Sequence, residues 1–155
     1  MDQTINEVYS KLASVVRETY SHSIVSSLVK TDLGIVAFNQ FLIMKIDDGY
    51  KIISRRTFTE VEFTSVRNAL AWIIFEYSGR FKDSERIHQL DSKISSLDVE
   101  INLHKRSKFK ADSSKYVILL NKIQDETYRK QELVAELDKY LSIVKRIAPT
   151  MLELS

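Results

Sequence analysis

A run of apolar residues that repeats every three or four positions occupies residues 84–104 and constrains the fold more than any other feature. Its members are Ile87, Leu90, Ile94, Leu97, Ile101 and His104. This spacing is a heptad repeat, which is typical of an α-helix that buries one face against another helix. The run therefore predicts a helix over residues 84–108 that needs a helical partner.

A second helical pattern covers residues 114–147 and follows after a short polar, basic connection. Because helices joined by a short connection pack side by side, the chain supplies its own partner by folding back near Ala111 into an antiparallel hairpin. The contact face of the second helix is polar in its middle, at residues 126–130, which this fold would set opposite residues 92–96. The single proline then ends the helix and leaves a short C-terminal tail.

Two further helices are predicted in the first half of the chain. Thr4 and Glu7 form a capping box at the start of a helix over residues 5–20. The serine-rich stretch that follows is compatible with more helix or with a strand, and we prefer the helix. Residues 65–78 are apolar on nearly every side of a helix, so this helix is expected in the middle of a core. Gly79 is placed to end it as a left-handed residue.

Strands are predicted between these helices. Two apolar runs rich in β-branched and aromatic residues, over residues 35–46 and 50–56, are joined at Asp48-Gly49, which is typical of a β-hairpin. Residues 57–63 are a candidate third strand, because their apolar and polar side chains alternate in part. The strands therefore form a small antiparallel sheet.

Together these elements predict an α+β fold that is mostly helical. A small antiparallel sheet with an N-terminal helix and a buried central helix is followed by a long, coiled-coil-like helical hairpin. We divide the chain into a head of residues 1–82 and a hairpin of residues 83–155. With only three glycines and one proline, the sequence leaves little room for flexible linkers.

The composition excludes several chemistries. The chain contains no cysteine, so a disulfide framework, a cysteine zinc site and a thiol nucleophile are ruled out. No glycine-rich phosphate-binding motif or serine-hydrolase turn is present. We therefore predict no catalytic, cofactor-binding or metal-ligating residues, no cofactor, and a protein that is not an enzyme.

One histidine motif points to a metal. Glu85 and His88 have the E-x-x-H spacing of helical di-iron proteins, with Asp91 one turn further along. The motif occurs once, whereas such sites use two copies and two further glutamates. A histidine at the flank of the hairpin is therefore preferred, and a metal-dependent helical enzyme is the alternative. His104 lies in the heptad pattern, where packing is preferred over a pH-sensitive role.

Cations are concentrated at the predicted turn of the hairpin. The candidate contact residues there are Lys105, Arg106, Lys108, Phe109, Lys110 and Lys115. Basic residues interleaved with aromatic ones favour contact with nucleic acid or with an acidic protein surface. The alternative is a solvated turn whose lysines only complement the end of a helix dipole. The net charge of +2 is too small to identify the partner.

The shape predicts assembly. A two-helix hairpin buries one face of each helix and gains by packing on another subunit. We therefore predict a non-enzymatic structural or assembly protein that binds other protein subunits, as a homo-oligomer or in a larger assembly. Because cysteine and catalytic motifs are lacking, our specific hypothesis is a small accessory or structural protein of a tailed bacteriophage particle. The alternative is a nucleic-acid-binding or regulatory protein that uses the basic turn.

The sequence shows no targeting or membrane segment. The N-terminal residues lack the basic and apolar regions of a signal peptide. The most apolar stretch, residues 33–46, is shorter than the roughly 20 residues that a membrane helix needs. We expect a virion or cytoplasmic location, without membrane contact.

Overall fold

The computed structural model describes residues 6–14 except 8 and 12, residues 29–108, residue 110 and residues 112–147. These residues form a five-stranded antiparallel sheet, a short N-terminal helix, a central helix and a long pair of helices that pack together. The predicted α+β, mostly helical fold is confirmed.

Parts of three predicted segments lie outside the described residues. The helix predicted over residues 5–20 is helical at the residues described between 6 and 14. Tyr9 and Ala13 of this helix pack against the core. Residues 15–20, the serine-rich stretch and the C-terminal tail from residue 148 are not described.

The strands follow one another across the sheet in chain order, each antiparallel to the next. Their bounds are Val29–Lys30 (β1), Ile35–Ala37 (β2), Phe41–Ile46 (β3), Gly49–Ser54 (β4) and Glu60–Phe63 (β5). Because side chains alternate along a strand, one face of the sheet collects Ile35, Ile43 and Ile52, which pair across neighbouring strands and are buried. This face forms one wall of the core.

The strand predicted over residues 35–46 is two strands, β2 and β3, separated by a turn. Phe38 and Asn39 adopt φ angles of 54° and 55° in this turn. Sequence analysis missed it because a bulky apolar residue such as Phe38 rarely adopts a positive φ. The ring of Phe38 is buried and stacks on Tyr77 at a centroid distance of 4.3 Å, which offsets the backbone cost.

The other predicted strands shift at their ends. The strand predicted over residues 50–56 is β4, which ends at Ser54, and the candidate third strand is β5. The connection between β3 and β4 is a hairpin whose two loop residues are Asp47-Asp48, because Ile46 pairs with Gly49. Gly49 instead allows β4 to approach β5, since a Cβ at this position would lie 2.1 Å from the Phe63 carbonyl oxygen.

A buried helix, Val66–Tyr77, packs on the inner face of the sheet and is called the core helix. Ser65 caps its start, accepting the Asn68 N–H at 3.4 Å. Its end has the two hydrogen bonds of a Schellman motif, with Gly79 at a φ of 79° as the sequence predicted. Nine of its residues are buried, which agrees with the prediction of a helix apolar on nearly every side.

The first hairpin helix is Phe81–Lys108 and the second hairpin helix is Ser113–Ile147. The first begins three residues before the predicted start at residue 84, so Ser84 does not cap it. Ser84 is buried, and its hydroxyl donates to the Glu76 carboxylate, which ties this helix to the core helix. Among the described helices, none combines the length and the apolar character needed to cross a membrane.

The hairpin is part of the core at one end only. Ile87 and Leu90 of the first hairpin helix, with Leu137, Leu141 and Val144 of the second, belong to the same apolar cluster as the sheet and the core helix. Further along, Leu97, Ile101 and Ile123 are also buried, but they lie outside that cluster. The far half of the hairpin is therefore held by contacts between its own two helices. The division of the chain at residue 82 stays a prediction.

Candidate interaction surface

The end of the hairpin farthest from the sheet, residues 103–122, is called the hairpin tip. The last turn of the first hairpin helix contributes Lys105, Arg106 and Lys108, the connection contributes Lys110, and the second hairpin helix contributes Lys115. Five of the six predicted contact residues therefore share this end, and the sixth, Phe109, lies outside the described residues. All five are exposed except Lys108, which is half-buried and has its Nζ 5.6 Å from the ring centroid of Tyr116.

The only acid of the hairpin tip does not neutralise these cations. Asp112 accepts the backbone N–H of Lys115 at 3.0 Å and the hydroxyl of Ser114 at 3.1 Å, so it caps the second hairpin helix. These hydrogen bonds, that of Lys115 first, lower the pKa of the Asp112 carboxyl. Within the described residues, Lys105, Arg106 and Lys110 form no ion pair. The hairpin tip is therefore strongly positive.

Apolar side chains accompany the cations. Leu103, Val117 and Ile118 of the hairpin tip are each more than half exposed, and Tyr116 is 42% exposed. Sequence analysis missed this surface because exposure depends on what covers a side chain. The available signal was the run of consecutive apolar residues from Tyr116 to Leu120. Consecutive residues point in different directions around a helix, so this run covers more of the helix surface than one contact face needs.

The part of the hairpin that adjoins the tip on its sheet side, residues 85–102 and 123–138, is called the hairpin shaft. Arg86 binds Glu136 through two hydrogen bonds, Nε to Oε2 at 2.5 Å and Nη2 to Oε1 at 2.7 Å. The hydrogen bond from Arg86 lowers the pKa of the Glu136 carboxyl, and the same bond raises the pKa of the arginine. Lys130 forms an ion pair with Asp98. These bonds cross between the helices and fix their register.

The polar middle of the contact face contains a pair in which Glu126 is buried and His104 is partly exposed. His104 Nδ1 lies 2.6 Å from Oε1 of Glu126, and Glu126 is 7% exposed. Glu126 and Lys130 thus lie opposite His104 and Asp98, so the prediction that they face residues 92–96 was wrong. Side chains lean toward the N-terminus of their own helix, which shifts such a contact by about one residue on each helix. The lean therefore explains only a small part of the shift from residue 96 to His104.

The residues of the E-x-x-H motif have other partners. Asp91 is buried and accepts hydrogen bonds from the Thr64 N–H and hydroxyl, both at 3.0 Å, and from Asn68 Nδ2 at 2.8 Å. The ring of His88 packs edge-on against Phe63, with centroids 5.2 Å apart. Among the described residues, no three histidine, aspartate or glutamate side chains come together as metal ligands would.

A second exposed apolar region lies on the sheet face that points away from the core helix. Val36, Leu42 and Ile53 pair across β2, β3 and β4 and are half-buried. These three residues line a surface pocket, together with Phe58 in the loop before β5, which is 87% exposed. Sequence analysis did not select these residues, although a strand apolar on both faces indicates that both faces can be covered.

Comparison with protein-family models, with curated proteins and with solved structures found no match for this chain.

Proposed function

We propose that this is a non-enzymatic structural or assembly protein that binds other protein subunits through its helical hairpin. The observation that carries the proposal is the exposure of Leu103, Val117 and Ile118 at the end of a helical projection. Exposed apolar side chains grouped at one end of a structure favour binding to another protein, since leaving apolar area in water is unfavourable. Arginine and aromatic residues, which are enriched at protein interfaces, lie beside them as Arg106 and Tyr116.

The polar side chains of the hairpin also support a structural role. Asp91 joins the first hairpin helix to the core helix, and the pair of His104 and Glu126 joins the two hairpin helices. These groups are the ones that acid–base chemistry would use, and here each has a partner within the fold. The hypothesis of a tailed bacteriophage particle stays a prediction.

A second candidate function is nucleic-acid binding by the hairpin tip. The observation that favours it is the group of exposed cations beside Tyr116, since phosphates bind cations and bases stack on aromatic rings. Replacing Lys105, Arg106, Lys108 and Lys110 by glutamate should abolish salt-dependent binding of a labelled oligonucleotide. Wild-type protein that binds no oligonucleotide at low salt would remove this candidate.

The absence of cysteine allows a site-specific test of the proposed function. Ser107→Cys at the hairpin tip can be labelled with a maleimide photo-crosslinker and irradiated in extracts of the cells that make the protein. The control is Asp32→Cys, which is exposed in the turn between β1 and β2. We expect protein adducts from the label at residue 107 and few from the label at residue 32. Adducts with nucleic acid alone would favour the second candidate, and no adducts from residue 107 would contradict both.

A further inference from the structure

Charge is divided along the hairpin. The hairpin tip contains six lysines and arginines against one aspartate, a net charge of +5. The hairpin shaft contains four lysines and arginines against nine aspartates and glutamates, a net charge of −5. Two segments of opposite and equal net charge therefore follow one another along the hairpin.

Four carboxylates of the hairpin shaft are exposed on its outside and lack an ion-pair partner among the described residues. Glu136 and Asp98 form ion pairs between the two helices, and Glu126 is buried against His104. Glu100, Asp125, Glu132 and Asp138 are exposed, and none of them forms an ion pair with another described residue. These four carboxylates are therefore available to a partner that carries positive charge.

The partner that meets both surfaces at once is a second copy of this chain. If two hairpins lie antiparallel, each positive tip lies beside the negative shaft of the other copy, and a two-fold axis makes the two contacts identical. The first hairpin helix has 28 residues and is about 42 Å long, which leaves room for this overlap. Parallel or tip-to-tip arrangements place like charges together. A nucleic acid would be attracted by the tip and repelled by the shaft.

We infer that two copies dock through their hairpins in an antiparallel arrangement, with each hairpin tip on the hairpin shaft of the other copy. Exposed apolar side chains occur on both surfaces, as Leu103, Val117 and Ile118 on the tip and as Val99 and Tyr128 on the shaft. Burial of such side chains supplies affinity, while charge complementarity fixes the orientation and speeds association. The inference rests on the proposed function and names the partner of that surface.

The test uses two sets of charge reversals at exposed positions. The tip-reversed protein carries Lys105→Glu, Arg106→Glu, Lys110→Glu and Lys115→Glu. The shaft-reversed protein carries Glu100→Lys, Asp125→Lys, Glu132→Lys and Asp138→Lys. In each protein the tip and the shaft then have the same sign of charge, so neither should form a homodimer. In a mixture, both contacts of the heterodimer again join opposite charges. Circular dichroism checks that each protein is folded.

Sedimentation of the purified proteins gives the expected result. Wild-type protein should form a dimer at about 0.05 M NaCl, and its dissociation constant should rise at least about tenfold by about 0.5 M, because salt screens exposed charges. Each variant alone should be a monomer where the wild type is a dimer, and an equimolar mixture should form a one-to-one heterodimer. If a variant does not fold, the salt dependence of the wild-type dimer still tests the inference.

Three outcomes overturn the inference. The first is wild-type protein that stays monomeric at low salt, the second is a dimer that both variants retain, and the third is variants that remain monomers when mixed. Crosslinks from residue 107 to a different protein, together with a monomeric purified chain, would overturn this inference and leave the proposed function supported. If residue 107 gives no crosslinks and the purified chain forms no dimer, both this inference and the proposed function are contradicted.

Discussion

Two phenylalanines adopt the same unusual backbone conformation in opposite surroundings. Phe38 and Phe58 both have a φ of 54°, a region that L-residues enter at a cost of roughly 1–2 kcal/mol. Phe38 is 5% exposed and stacks on Tyr77, so burial offsets the cost. Phe58 is 87% exposed, so its side chain gains little from the fold. At Phe58, therefore, burial of the ring does not offset the cost of the backbone conformation.

Glycine substitutions at these two positions should therefore have opposite effects on stability. Phe58→Gly relieves the left-handed strain and loses almost no burial, so we expect the free energy of unfolding to stay unchanged or to rise by up to about 1 kcal/mol. Phe38→Gly also relieves strain but removes a buried ring, and we expect a loss of about 3 kcal/mol. Urea denaturation followed by circular dichroism measures both. A loss above about 1 kcal/mol for Phe58→Gly would show that its ring packs in solution.

At the scale of elements, the helices of the hairpin are held together by apolar side chains and by a partly buried polar pair among them. His104 and Glu126 are polar residues of the contact face, each three positions along the chain from a buried isoleucine, Ile101 or Ile123. A polar pair of this kind fixes the register of two helices at some expense of stability, because an apolar layer has no charge to desolvate.

Replacing one or both members of this pair should separate the coupling between the two side chains from the cost of desolvating them. Glu126→Leu leaves His104 without its partner, and because His104 is partly exposed to water we expect a loss of about 1 kcal/mol. The double variant His104→Leu with Glu126→Leu completes the apolar layer and should be at least as stable as the wild type. Urea denaturation of the two single variants and the double variant forms the thermodynamic cycle. Additive effects would contradict direct coupling between the two side chains.

The ion pair of Arg86 and Glu136 should make hairpin stability depend on pH. The pKa of Glu136 is lower in the folded protein than in the unfolded chain, where a glutamate titrates near about 4.3. The contribution of the ionised group is therefore complete above the unfolded pKa and is lost as the pH falls through the folded pKa. Glu136→Gln should lower the free energy of unfolding by about 0.5 kcal/mol at pH 7, since the pair is partly exposed.

A urea series between pH 7 and pH 3 checks this expectation. The difference between the wild type and Glu136→Gln should shrink as the pH falls below the ordinary range of a glutamate. Glu132→Gln, on the same helix and without an ion pair among the described residues, is the matched control and should show a smaller difference at pH 7. An equal difference for both variants at every pH would mean that the ion pair with Arg86 adds nothing.

The elements that the sequence predicted well are those set by near neighbours. The heptad pattern predicted the end of the first hairpin helix, and the Gly79 signal predicted the end of the core helix, because both depend on residues within a few positions. The turn at Phe38 was missed because a positive φ is rare for phenylalanine, and because the ring that Phe38 stacks on, Tyr77, is distant in sequence. The cations of the site were readable from residue types, whereas the exposure of Val117 and Ile118 depended on which helix face the fold left open.

At the scale of the whole molecule, stability should be distributed unevenly. The base of the hairpin shares its apolar cluster with the sheet and the core helix, through residues such as Leu90 and Leu141. Among the described residues, the buried apolar side chains of the far half, Leu97, Ile101 and Ile123, lie outside that cluster. Opening of the far half therefore removes fewer buried contacts than opening of the base, and local unfolding should begin there.

Hydrogen exchange should reveal this gradient and its response to assembly. In about 0.5 M NaCl, where we expect a monomer, amides between residues 97 and 126 should exchange faster than those between residues 86 and 94 or in the core helix. At about 0.05 M NaCl the slowing should be concentrated in the hairpin tip and the hairpin shaft, because both would be covered by the second copy. The core helix, which is already buried, provides the internal control. Equal slowing of exchange in every element would instead indicate a general effect of salt on the fold. Slowing in the hairpin tip alone would indicate that the second copy does not contact the hairpin shaft.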